Sequence, residues 1–208
     1  MNLFSNIEIP SQMKRCINSH PLSLRRWGVL ALVSVGFTIQ FGVDWGLQHD
    51  VLGRRELTVW LDPIAHVVLA ISVTLPWIVA LRLPRSYLLL AAAAALLIDI
   101  DHIIAARSFS LTAAINLPGR PISHSLLFST GAAVIFGLMV RRTTAAIVVL
   151  IALFTHVSRD ATGGGTPLLW PLAESTQIPA DWHIGFWLMV ALAGSFWRFR
   201  KNRAEDSV

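Results

Sequence analysis

The sequence has one cysteine, Cys16, and few charges: only 14% of its 208 residues are Asp, Glu, Lys or Arg. A lone cysteine excludes an internal disulfide and any Cys-x-x-Cys zinc motif. The low charge, with 54% hydrophobic residues and a mean hydropathy of +0.61, argues against a soluble domain. There is no internal repeat. The glycine run Gly163–Gly165 lacks the Gly-Lys-Ser/Thr ending of a Walker A loop, which excludes that nucleotide motif. The net charge of +5 does not form a nucleic-acid patch, because the basic residues flank apolar runs.

What the chain does have is long apolar segments. A spanning helix needs roughly 17–25 apolar residues. Six candidates follow: Trp27–Val43, Pro63–Leu83, Ser86–Ala106, His124–Val140, Thr143–Asp160 and Trp182–Phe199. The first follows Arg25 and Arg26 without a clean cleavage site, so it reads as an uncleaved anchor. The expected architecture is an all-α integral membrane protein. It comprises a cytoplasmic arm (1–22), a polytopic domain (23–200) and a cytoplasmic tail (201–208), with a site-bearing core over about 60–172. The alanine run Ala91–Ala95 suits close helix packing.

Orientation follows from Lys and Arg alone. A cytoplasmic N-terminus puts Lys14, Arg15, Arg25, Arg26, Arg82, Arg85, Arg141, Arg142, Arg198, Arg200, Lys201 and Arg203 inside. Arg54, Arg55, Arg107, Arg120 and Arg159 then lie outside. The bias supports both termini inside a cell (inner) membrane. Asp44, Asp50, Asp62, Asp99, Asp101, Asp160, Glu174 and Asp181, and every histidine except His20, then cluster at the outer ends. Acids and histidines played no part in fixing the orientation, so their clustering is a separate observation.

These residues carry the chemistry. Polar groups at membrane depth are costly and mark function. His66 lies one turn inside its span; Asp62, before Pro63, reads as an N-cap. Ile98-Asp99-Ile100-Asp101-His102 closes an apolar run with two carboxylates and an imidazole. Asp99 and His102, three apart, share a helical face, and Asp101 points about 100° away from His102. Acids at a helix C-terminus oppose its dipole unless a cation is present. Ser123 is placed to cap the span that His124 opens, and Arg120 is placed to bind a substrate anion. His156 and Asp160 are four apart, on one face; His183, after the helix-capping Asp181, is a weaker candidate. The glycine run after Asp160 is either a plain turn or a close backbone approach to a ligand. Mixed imidazole and carboxylate donors suit zinc, with manganese or iron possible, as one or two ions. His66, Asp99, His102, His124, His156 and Asp160 form the expected metal set, with Asp101 and Arg120 in catalytic roles.

In order, Ala65-His66, Ile98 to His102, Arg120-Pro121-Ile122-Ser123-His124-Ser125, and His156 to Asp160 with Gly163–Gly165 and Leu169-Trp170-Pro171 form one pattern. It resembles the YdjM-like family of membrane-bound, metal-dependent hydrolases. That family's pattern has Pro where this chain has Ile98, Gly where it has Pro121, and His where it has Gly119. The resemblance implies a membrane metallohydrolase and names no substrate. A site at the lipid–water boundary favours a lipid-like phosphoester or ester, with the bilayer itself as partner. The rival reading is a metal-binding transporter, sensor or structural protein. Transport needs polar groups continuing inward, and the inner halves of the spans hold only Ser72, Thr74, Ser129 and Thr130. Fragments similar to acid-phosphatase-type lipid phosphatases (Arg120-Pro121, Ser158-Arg159-Asp160) occur in the wrong order for that family.

A fluorescent protein fused after Val208 is expected to fluoresce, and alkaline phosphatase at the same point to stay inactive. The opposite pair of results would invert the orientation.

Overall fold

The computed structural model describes residues 26–49, 55–109, 117 and 119–206. The expected N-terminal arm lies outside the described residues. Among those described, helices supply the architecture, and the only β pairing is an isolated bridge between Thr166 and Thr176. In order they are α1 (Arg26–Gln48), α2 (Arg55–Ala80), α3 (Ser86–Leu97), α4 (Ile100–Ala105), a 3-10 turn (Ile122–His124), α5 (Leu126–Val140), α6 (Thr143–Asp160) and α7 (Ala180–Asp206).

Among the described residues, four segments are long and apolar enough to cross a membrane: Trp27–Leu47, Leu61–Ala80, Ser86–Ala105 and Thr143–Asp160. α5 is a shorter apolar helix of 15 residues. α7 runs for 27 residues, into the segment expected to be a tail, but is not among the four.

The spans are not equivalent. In α2 and α6, 61% and 56% of the apolar window is buried, against 28% in α1 and 22% in α3. The first two are therefore the interior helices. α2 packs against α1, α3, α6 and α7, and α6 packs against α3 and α5. The outer helices turn Leu32, Val35, Leu89 and Leu97 outward, as a lipid-facing surface requires.

Small residues set the spacing. Ala91 and Ala95 of α3 are fully buried in one cluster with Ala145, Val148 and Ala152 of α6. This bears out the packing role expected of the alanine run. A second cluster joins Val29, Val33 and Phe37 of α1 to Leu69 and Val73 of α2 and Trp187 and Ala191 of α7. Trp77 of α2 donates its indole N–H to the Val190 carbonyl at 3.0 Å, beside Gly194.

Three helix starts differ from expectation. Asp62 does not cap α2, which begins at Arg55 and carries Pro63 and Pro76 internally. The Asp62 carboxylate instead meets Arg159 at 2.6 Å, a charged partner stronger than a backbone N–H. Ser123 does not cap α5 either. That role falls to Ser125, whose hydroxyl accepts from Phe128 N at 3.2 Å, while Ser123 Oγ donates to Asp101. Asp181 lies in the first turn of α7 rather than before it.

A Cβ added at Gly137 of α5 would sit 2.5 Å from Cβ of Ala146 on α6. Gly→Ala inside a helix normally stabilises by about 1 kcal/mol. Here Gly137→Ala is expected to destabilise by about 1–3 kcal/mol through overpacking. Thermal unfolding in detergent followed by circular dichroism reads the sign, and a raised midpoint would mean that the α5–α6 contact is not tight.

Candidate metal centre

The acidic and histidine residues converge because the helices alternate in direction. The α1 and α3 C-termini, the α2 N-terminus, the 3-10 turn before α5 and the α6 C-terminus meet at one end. The interior helices supply the deepest groups: His66 from α2, and His156, Arg159 and Asp160 from α6. His66, His124 and His156 are fully buried, and Asp160 is 4% exposed.

His156 is held by the backbone. Its Nδ1 lies 2.7 Å from the Ala95 carbonyl. That carbonyl is in the last turn of α3, where helical carbonyls lack a partner further along the helix. A carbonyl only accepts, so Nδ1 carries the proton and, in the neutral ring, Nε2 presents a lone pair. His124 is oriented similarly: its Nδ1 lies 3.1 Å from Asp101 Oδ2, so its Nε2 is also a lone pair.

Both lone pairs face carboxylates. His156 Nε2 is 3.3 Å from Asp99 Oδ1 and 3.3 Å from Asp160 Oδ2. His124 Nε2 is 3.5 Å and 3.2 Å from the same two oxygens. His124 Nε2, His156 Nε2 and both Asp160 oxygens are buried without a hydrogen-bond partner. Lone pairs aimed at carboxylates in a buried site repel one another unless a proton or a metal ion lies between them. Ligands about 2.0–2.1 Å from a tetrahedral zinc ion stand roughly 3.3–3.4 Å apart. The four distances scatter around that spacing, so this donor set fits a small divalent ion.

Among the described residues, three overlapping groups could hold an ion: His66, His156 and Asp160; Asp99, His124 and His156; and Asp101, His102 and His124. All six residues expected as ligands therefore fall within one cluster. They are not equivalent. Arg159 Nη1 lies 2.8 Å from His66 Nε2, and a guanidinium only donates, so that lone pair is already engaged. The His66 ring stacks on His156 at 3.6 Å between centroids. Asp101 and His102, expected to point apart, approach to 2.8 Å between Oδ1 and Nδ1. Both residues lie within α4, so their approach comes from side-chain torsions that bend Oδ1 and Nδ1 toward each other and not from a change of helical angle.

Arg120 reaches the cluster from the loop before the 3-10 turn. Its Nη2 is 3.0 Å from Asp160 Oδ1, and its side chain is 30% exposed, at the mouth of the site. The glycine run shapes that loop: Gly164 and Gly165 take φ of +80° and +72°, and the Gly165 carbonyl accepts from Arg120 N at 3.4 Å. The turn thus positions Arg120. His183 is buried but lies outside the three groups.

Two functional groups escaped the sequence reading. Arg159 counted only as a topology charge, yet it is 5% exposed and joins Asp44, Asp62 and His66. Asp44, at the end of α1, takes Arg159 at 2.7 Å and Gln40 Nε2 at 2.6 Å. The available signal was the Gln40–Asp44 spacing of four and a cation directly before Asp160.

Apolar helices of spanning length around a buried His/Asp cluster define a helical membrane protein with a candidate metal centre. The chain belongs to the YdjM inner membrane protein family, whose family model matches residues 61–206. No curated protein and no solved structure gives a significant match. α1, with Asp44, precedes the matched region.

Arg159→Met is expected to destabilise the protein by about 3–5 kcal/mol, because Asp44 and Asp62 lose their buried counter-charge. Adding Asp44→Asn and Asp62→Asn to Arg159→Met should recover part of the loss. Thermal midpoints in detergent test this, and an Arg159→Met midpoint equal to wild type would contradict the buried pairing.

Proposed function

We propose that the protein is a membrane-bound, metal-dependent hydrolase acting on a lipid-like or lipid-linked phosphoester or ester, with its site at the outer membrane face and six spans leaving both termini in the cytoplasm. The observation that carries this reading is the pair of imidazole lone pairs on His124 and His156 facing Asp99 and Asp160 at 3.2–3.5 Å. These four residues are the principal ligands. Zinc is the best match to the donor types, with manganese or iron as alternatives. A divalent ion held there supplies Lewis acidity and lowers the pKa of bound water toward about 7.

The chain's own residues do the rest. Asp101 fixes the His124 tautomer, as carboxylates commonly do for metal-binding imidazoles. With His102 it forms the partly exposed pair on the open side, suited to accept a proton from the attacking water. Arg120 binds negative charge on the substrate. His66, its Nε2 taken by Arg159, supports the His156 ring and is a ligand only to a second ion. Exposed apolar residues adjoin the catalytic groups: Ile100 and Ile104 beside Asp101 and His102, and Ile122 beside Ser123. That rim suits a substrate presented from lipid.

Elemental analysis of purified protein should find about one divalent ion per chain. His156→Ala and Asp160→Asn should each remove most of it. Hydrolysis of lipid phosphoesters and esters in detergent should fall at least about 100-fold with chelator or with His102→Ala. Bound metal without any hydrolysis would favour the structural or transport reading, and wild-type protein free of metal would sink both.

A further inference from the structure

The end of the molecule opposite the His/Asp cluster carries a different feature. An apolar cavity of about 430 Å³ lies between α1, α2 and α3. Val68, Ile71, Ser72 and Leu75 of α2 form its floor, and Leu32 and Val35 of α1 line one side. Seven residues separate Leu32 from Ile39, both in its lining, so it runs for roughly 10 Å along the helices. That is most of one leaflet's hydrocarbon depth of about 15 Å. Ser72 adds no free polar group, because its hydroxyl donates to the Val68 carbonyl at 2.7 Å.

The far end of the groove is charged. Arg85, exposed at the start of α3, closes it. Arg85 belongs to the connection Leu81-Arg82-Leu83-Pro84-Arg85, and the α5–α6 connection at the same end is Arg141-Arg142. Neither connection contains an acidic residue. Arg85 forms no ion pair with a described residue, whereas Arg120 and Arg159 at the opposite end are both committed to carboxylates.

A slot most of a leaflet deep with a guanidinium at its interfacial mouth is complementary in shape and charge to a phospholipid. We propose that this groove binds an anionic phospholipid of the bilayer, from the leaflet on the Arg85 side. An acyl chain lies along the Leu32, Val35, Ile71 and Leu75 walls, and the phosphate pairs with Arg85. The arginines at that end, Arg85 among them, favour a lipid of net negative charge over a zwitterionic one. The site is separate from the metal centre and does not rest on the hydrolase reading.

Native mass spectrometry of the delipidated full-length protein, offered phosphatidylglycerol or phosphatidylcholine of identical chains, tests this. Phosphatidylglycerol should be retained about tenfold more strongly, a difference of about 1.4 kcal/mol. Arg85→Gln should weaken retention of both lipids and reduce the preference for phosphatidylglycerol. Val35→Trp, which fills the groove, should reduce binding of both. Thermal midpoints check that each variant is folded. Equal retention of the two lipids by wild type, or an unchanged preference in Arg85→Gln, overturns the proposal. So does a lipid preference lost in Arg120→Gln but kept in Arg85→Gln, which would make the groove a channel for a substrate tail entering from the metal centre. Metal content should be unaffected by Arg85→Gln and Val35→Trp, so this result and the test of the metal centre fail independently.

Discussion

The structure depends on one constraint: Asp160, almost fully buried near the end of an apolar helix, must be compensated. An isolated buried carboxylate is too costly to persist. Arg120 answers part of that cost from a loop, while His66 from α2, His124 from the 3-10 turn and His156 one turn back on α6 stand 3.2–3.3 Å from the carboxylate and answer the rest only with a shared proton or metal ion. Each contact fixes the position of the segment that carries it. The cluster thereby ties four separated segments at one end of an otherwise apolar bundle, whose packing in lipid lacks a hydrophobic drive of its own.

Two layers of charge are built around this centre. Inside, His124 and His156 turn Nε2 lone pairs inward because Asp101 and the Ala95 carbonyl hold the opposite nitrogens. Beside it, Arg159 joins Asp44, Asp62 and His66, linking α1 and α2 to α6. The layers differ in what they leave unmet. Arg159 and its carboxylates satisfy one another, whereas the inward nitrogens and Asp160 Oδ2 are buried without a hydrogen-bond partner. That contrast separates a structural ion-pair network from a centre suited to an ion. Arg159 also draws α1, which lies before the family-matched region, into the support of the site.

Much of this was legible in residue order. His66, Asp99, His102, His124, His156 and Asp160 stand out because ligand-type side chains have little reason to sit in apolar segments unless they meet, and here they do meet. The α6 boundaries, Thr143–Asp160, match the apolar run, since the Arg141-Arg142 pair and the glycine run bracket it. Local cap rules did less well. Asp62 before Pro63 and Ser123 before the fourth apolar run both carry good capping signals, yet both side chains were taken by stronger partners, Arg159 and Asp101. Those partners lie 97 and 22 residues away in the chain, beyond any local rule.

The sequence by itself determined the membrane class, the apolar segments and the set of residues that gather at one end, because hydropathy and polarity are properties of local stretches. Tertiary structure alone decided how that set divides. Whether a nitrogen is a free lone pair depends on what the other ring nitrogen touches, and for His156 that is a carbonyl 61 residues away. Whether an arginine marks topology or neutralises a core depends on its burial, and Arg159 proved to be buried. Both are properties of the packed bundle, since they arise only when α2, α3 and α6 close on one another.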